Sequence, residues 1–513
     1  MRPISMENVE TKRSEILDIL QDVTTTHEQK VTFLARAAEN FLTVLDEPAE
    51  MDELMRCDEP DRCICNLFEG EAPYRPRYIC PDYQKFMQQG SEFLQLDPPK
   101  DLFEALSNLL ILYHNVPSIT NYPVYLGVLD ELLDPYLDGL DDETIKKALR
   151  LFLTQIDRTI LDSFSHANVG PRATRAGYLL MEVEGELENA VPNLTMRVAK
   201  DTPDDFVLAG IKCALKCAKP SFANDTMFRS ELGDSYCIAS CYNGLYKGGG
   251  SYTLSRLRLS AIAKHSKDLK DFRENKLPFV MDVMARYMDC RIHFLVEQTA
   301  FFESNFLVRE GLIKRENFSA MYGMVGMAEC VNDLMAKEGK PFRFGHDAEA
   351  DQLGVEIMDQ IDAFVKQHDA PYCEATGGHY MLHAQVGMDS DHLVSPGTRI
   401  PVGEEPAELV DHLKNINLFQ KYFISGAGDI FPVDITVHKN PQFVLDVLRG
   451  SFELDIRYLS FYNSDSDVIR VTGYLAKRSE IEKLDAGMNV RQNTTGLALG
   501  ATKNCKAQNR RVR

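Results

Sequence analysis

A chain of 513 residues, 44% hydrophobic and 26% charged, has the composition of a soluble globular protein with a large core; length alone suggests roughly two to four domains. The formal net charge of -21 repels nucleic-acid backbone at long range and leaves room only for a local basic pocket around one small anion. No apolar run is long enough to span a bilayer, since the best candidate, 206–218, contains Lys212 and Lys216, and residues 1–20 are too charged for a secretion signal.

A cytoplasmic protein is therefore expected, without membrane or nucleic-acid partners, and its twelve cysteines are read as reduced thiols. As far as residue 120 the pattern is helical. Ile16, Ile19, Leu20 and Val23 form one apolar stripe, Val31, Leu34, Ala38 and Leu45 another, and Leu102, Leu106, Leu109 and Tyr113 a third. Pro98-Pro99 stops the chain before the third helix, where Asp101 and Glu104 have capping-box spacing. Cys57, Cys63, Cys65 and Cys80 lack the paired hairpins of structural zinc, so no metal is assigned there.

From 120 to 300, helices alternate with extended pieces. A helix over 143–161 leads to Ser163-Phe164-Ser165-His166-Ala167-Asn168, a strand is expected over 191–198, and the chain turns at Pro220-Ser221-Phe222-Ala223-Asn224. Cys237 and Cys241 then precede Lys247-Gly248-Gly249-Gly250. That run lacks the Gly-Lys-Ser/Thr ending of a phosphate loop and reads as a hairpin turn. Helices are expected over 278–301 and 348–366. Cys373, Glu374, His379 and His383 could suggest a metal site, but Gly377-Gly378 argues against the helix such a site needs. Extended segments over 422–425 and 431–435, a helix over 441–448 and a strand over 455–461 follow. The basic tail, Arg491 to Arg513, is expected to be solvated and mobile.

The strand over 455–461 delivers Arg470-Val471-Thr472-Gly473-Tyr474, which resembles the radical-bearing segment of glycyl radical enzymes. Glycine suits that role because a Cα radical shares its electron with both flanking amides, and no side chain twists it out of their plane. The stretch from Cys237 to Leu257 is similar to the cysteine loop of anaerobic ribonucleotide reductases. Cys241 aligns best as the thiyl site and Cys237 is the alternative; Cys373 is a more distant rival. The resemblance is closest to the YjjI-type glycyl radical enzymes.

That resemblance implies a ten-stranded α/β barrel of two half-sheets surrounded by helices. It would comprise a helical region over 1–120, a barrel with the cysteine loop over 121–460 and a radical segment with its tail over 461–513. It further implies a homodimer, no permanently bound cofactor, and a glycyl radical at Gly473 installed by a separate radical S-adenosylmethionine activating enzyme. Asn168, His166 and Asn224 are the implied substrate contacts. The zinc cysteines of the reductases are missing near Gly473, and Asn243 stands where dehydratases place a Cys-x-Glu base. The expectation is a radical enzyme acting on a small polar metabolite. The alternatives are a reductase-like enzyme without the zinc site and a non-catalytic scaffold or binding protein of the same fold.

Overall fold

Local sequence sets the first helices. Asp101 accepts from the Glu104 amide at 2.9 Å and Glu104 reaches back to the Lys100 amide at 2.8 Å, starting a helix over Leu102–His114 whose Leu102, Ala105, Leu106, Leu109 and Leu112 are buried. Asp141 caps the helix Asp142–Thr159 in the same way, accepting from the Thr144 amide at 2.9 Å. The computed structural model describes residues 6–39, 45–58, 61–66, 74–118, 120–384 and 393–513. None of its helices is long and apolar enough to cross a membrane.

Fourteen strands follow one another along the described chain. The first five are β1 (Ile64–Asn66), β2 (Tyr78–Cys80), β3 (His166–Val169), β4 (Asn193–Val198) and β5 (Ser221–Asn224). Next come β6 (Tyr236–Ala239), β7 (Asn243–Tyr246), β8 (Gly249–Arg258), β9 (Phe318–Val325) and β10 (Met381–Ala384). The last four are β11 (Asp429–Val433), β12 (Tyr458–Asn463), β13 (Val468–Arg470) and β14 (Leu475–Lys477). One five-stranded sheet has the order β1-β8-β9-β10 with β2 also on β8; the other has the order β11-β12-β5-β4-β3. The second sheet has three parallel pairs and one antiparallel pair, the first has two of each, and β4, β8, β9 and β12 are buried at every position, as expected of sheets covered on both faces. The hairpins β6–β7 and β13–β14 belong to neither sheet.

Several expectations need correction. The helical stretch through residue 120 is interrupted by β1 and β2, which pair antiparallel with β8 and so join the first sheet. The ten strands of the two sheets do not close into a barrel among the described residues. At one seam the contact is limited to Ala384 N–H donating to Gly426 O and Ser425 N–H to Leu382 O. At the other, β3 bonds to the segment ahead of it, Leu126 N–H to His166 O and Asn168 N–H to Gly127 O, and not to β1 or β2. Residues 422–425 form turns, with the amides of Tyr422 and Phe423 donating to Phe419 O and Gln420 O three residues back.

The basic tail is docked. A helix over Asn493–Cys505 packs on the chain, Arg510 is 7% exposed, and the Arg513 backbone pairs with Pro432 and Asp434. Its guanidiniums find carbonyl and carboxylate partners in the body, such as Arg491 on Asp157 at 2.9 Å, so solvent is not needed to satisfy them.

Candidate active site

The β6–β7 hairpin turns through Ser240-Cys241-Tyr242, with Ser240 in the left-handed region at φ 61°. Both sheets fix it. From β3, the Asn168 side chain donates to Ile238 O at 2.8 Å and accepts from Ile238 N–H at 2.9 Å, a two-point clamp on β6. Tyr242 Oη donates to Ala384 O of β10 at 2.6 Å. Gly426 (φ 137°) lies against the turn so closely that a Cβ there would meet Tyr242 O at 2.1 Å, and only glycine fits. Gly250 plays the same part at the start of β8, where a Cβ would meet Tyr78 O at 1.9 Å. The glycine-rich run thus serves strand packing after the turn at Lys247-Gly248.

Gly473 occupies the turn between β13 and β14 and is buried. Ser163 Oγ donates to Leu475 O at 2.8 Å and accepts from Leu475 N–H at 3.2 Å. Arg510 Nη2 donates to Val471 O at 2.7 Å, and Tyr474 packs on Phe164 with ring centroids 5.2 Å apart.

The two turns meet at Asn193, the first residue of β4. Its Nδ2 donates to Gly473 O at 3.0 Å and to Ser240 O at 3.4 Å, which places the two carbonyls within two hydrogen-bond lengths of each other. Its Oδ1 accepts from Arg470 Nη2 at 3.0 Å. A second chain of bonds supports the cysteine turn: His166 Nδ1–H donates to Ser240 O at 2.9 Å, and Thr195 Oγ1 lies 2.7 Å from His166 Nε2. Tyr458 Oη–H is shared between Thr195 Oγ1 at 2.8 Å and Cys241 O at 3.0 Å. Burial pushes the His166 pKa down to about 3, so the ring is neutral and its Nε2 can accept.

Burial raises the Cys241 thiol to about 11, against the pull of the Arg399, Arg470 and Arg77 guanidiniums. A nucleophilic cysteine needs the opposite shift, toward thiolate. A thiol that stays protonated keeps the S–H hydrogen, which is what hydrogen-atom transfer requires. Its Sγ lies 3.6 Å from Asn243 Oδ1. Around Tyr242 the site is aromatic and basic: His383 and Tyr458 each lie 5.6 Å from its ring and Arg399 5.9 Å.

Of the residues singled out from the sequence, Gly473 and Cys241 are on the two turns that Asn193 joins. Cys237 is not: it lies on β6, fully buried, with its thiol against that of Cys80 on β2. His166 and Asn168 have their polar side-chain atoms engaged by the cysteine hairpin and by Thr195, so in this structure they hold that hairpin. Asn224 caps the helix Asp225–Leu232 and donates to Phe452 O and Ile456 O. Residues 373–383 are also dispersed in role: His379 bonds to His368 O while His383 lies against Tyr242, and the described residues contain no group of three His, Cys, Asp or Glu able to hold a metal.

Asn193, Ser163, Arg399 and the His383 ring at the cysteine turn were not anticipated. The Asn193 and Ser163 contacts span 280 and 312 residues of chain, a separation that leaves no local pattern to read.

A family model described as glycyl radical enzyme YjjI-like matches residues 25–513. An uncharacterized protein of Haemophilus influenzae is 43% identical over 503 residues, 97% of each chain. The uncharacterized protein YjjI of Escherichia coli K12 is 40% identical over 516 residues, 100% of this chain and 98% of its own. Among solved structures, the B12-independent glycerol dehydratase of Clostridium butyricum aligns with TM-score 0.68 and 11% identity over 99% of this chain and 89% of its own. The anaerobic ribonucleotide reductase of Thermotoga maritima gives 0.67 and 11% over 95% and 99%. At that identity the two structures speak for the fold alone. With nearly its whole length matched by the family model and by relatives above 40% or at it, the chain belongs to the YjjI-like family of glycyl radical enzymes.

Proposed function

We propose that Gly473 stores an unpaired electron and that Cys241 uses it to take a hydrogen atom from a small polar metabolite. The observation that carries this reading is the Asn193 side chain, hydrogen-bonded at once to the Gly473 carbonyl and to the carbonyl preceding Cys241. The hydrogen atom of the Cys241 S–H passes to the Gly473 Cα radical, giving ordinary glycine and a thiyl radical. The thiyl then takes hydrogen from a substrate C–H, and the steps reverse when product forms. The two bonds that exchange hydrogen are close in strength, so holding the groups in contact supplies most of what the transfer needs. Burial of both turns keeps water and other quenchers from the radical.

The proposal includes a separate radical S-adenosylmethionine enzyme that makes the radical at Gly473, and a homodimer in the cytoplasm; membership of the family supports these parts. The test is anaerobic activation followed by electron paramagnetic resonance. A doublet from the remaining Gly473 α-hydrogen is expected, and it disappears in Gly473→Ala. Cys241→Ala keeps the doublet and loses turnover. An activated chain with no glycine doublet, beside a control that shows one, would refute the reading.

A further inference from the structure

Among the described residues, the side chains whose charge acts on Cys241 are cationic. The chain as a whole is strongly acidic, yet three largely buried guanidiniums, those of Arg77, Arg399 and Arg470, act on the one thiol. Arg399 stands over the Tyr242 ring, next to Cys241 in sequence, at 5.9 Å. Its Nε donates to Gly428 O at 2.7 Å and lies 3.8 Å from Asp429. Asp429 also accepts from His412 at 3.1 Å, and it lies on the Nε side of the guanidinium. Arg470 is bonded to Asn193 Oδ1 and Ala218 O, neither of which carries charge.

His383, fully buried, lies against the same Tyr242 ring with ring centroids 5.6 Å apart. Among the described residues, Nη1 of Arg399 and the Ser425 hydroxyl have no hydrogen-bond partner, and the His383 ring faces the Ser425 backbone without a bond of good geometry. Burying such groups unpaired is unfavourable, most of all for a cation. A ligand with an anionic end and a polar body would pair them, and the guanidinium fork matches the two oxygens of a carboxylate or phosphate.

We infer that the substrate carries an anionic group, a carboxylate or a phosphate, which Arg399 holds beside Cys241 while His383 contacts an adjacent polar group. The inference rests on Cys241 being the reacting thiol, but its test needs no radical. Unactivated protein is treated at mildly alkaline pH with iodoacetate, which carries a carboxylate, or with neutral iodoacetamide. In each case sulfur displaces iodide from carbon and the thiol proton goes to solvent. The ratio of the two rates is read by mass spectrometry at Cys241 and, as references, at the half-buried Cys290 and Cys505.

Attraction to the site is expected to raise the iodoacetate-to-iodoacetamide ratio at Cys241 about tenfold or more above the references. Arg399→Gln should remove the preference and Arg399→Lys should restore part of it, with circular dichroism showing both variants folded. Slowing by acetate but not by inorganic phosphate assigns a carboxylate; slowing by phosphate as well admits either group. Equal ratios at Cys241 and the references, a Cys241 that neither reagent reaches, or a preference that persists in folded Arg399→Gln would each overturn the inference. Gly473→Ala should keep the preference, so a failed radical assay and a failed anion site are separate results.

Discussion

Replacing Asn193 by alanine tests the contact between the two turns without touching Gly473 or Cys241. The substitution removes one charge-assisted bond from Arg470 at 3.0 Å and the bonds to Gly473 O at 3.0 Å and Ser240 O at 3.4 Å. At about 1.5–3 kcal/mol for the first and about 0.5–1.5 kcal/mol for a neutral bond, the loss is about 3 kcal/mol, felt mainly by the β13–β14 hairpin. Amides over 471–476 should then exchange with deuterated solvent about 100-fold faster, a tenfold change per 1.4 kcal/mol, with distant amides unchanged. Function can be followed without a substrate. The Cys241 S–H exchanges with deuterated water, so each return of hydrogen to Gly473 can load deuterium, and the glycine doublet collapses to a singlet. A displacement of the turns by about 1 Å should slow that collapse about 100-fold. Asn193→Asp keeps the acceptor for Arg470 but loses the donor, so it should be milder in amide exchange and as severe in the collapse. Collapse at the parent rate in both variants would refute the idea that Asn193 positions the radical pair.

Cys237→Ala, which removes the thiol beside Cys80, should leave both the doublet and its collapse in deuterated water intact; loss of the collapse there would move the thiyl role to Cys237. Lys219→Met strands Glu184, its partner at 2.8 Å with both side chains fully buried, and should destabilise the protein by about 3–5 kcal/mol in urea unfolding. Adding Glu184→Leu should recover most of that loss. Burial raises the Asp162 carboxyl from 3.8 to about 7 in the folded chain. The unfolded carboxyl ionises from about pH 4 upward while the folded one remains protonated, so stability is full below pH 4, falls as pH rises toward 7, and is level beyond. Asp162→Asn should flatten that part of the pH profile, by at most about 4 kcal/mol.

What could be read from the sequence was what local chemistry dictates. Asp101 and Glu104 cap their helix because both partners lie within four residues. Residues 470–474 stand out because a Cα radical would need glycine among such short-range neighbours. Cys241 could be ranked above Cys237 only by resemblance, and the geometric difference between them is that one lies in the turn and the other faces Cys80. Asn168 and His166 lie at the cysteine hairpin and bond its backbone, a pairing that the sequence does not show, since a buried amide or imidazole binds backbone as readily as substrate. The tail misled because Lys and Arg read as solvated when counted, whereas Arg510 uses its guanidinium to hold Val471 O and Ala507 O in the interior. Barrel closure depends on which segment covers β3, and residues 124–128 do so through backbone bonds to His166 and Asn168 that carry no strand-like side-chain pattern.

The same docking determines what oxygen damage looks like. If oxygen cuts the activated chain at Gly473, the released piece is not free to leave. Ser163 still binds Leu475, Leu161 O still accepts from Asn493 N–H, Asp157 still holds Arg491, and Arg513 remains paired with Pro432 and Asp434. A nicked molecule should therefore elute at the size of the intact one and separate into two fragments only under denaturing conditions.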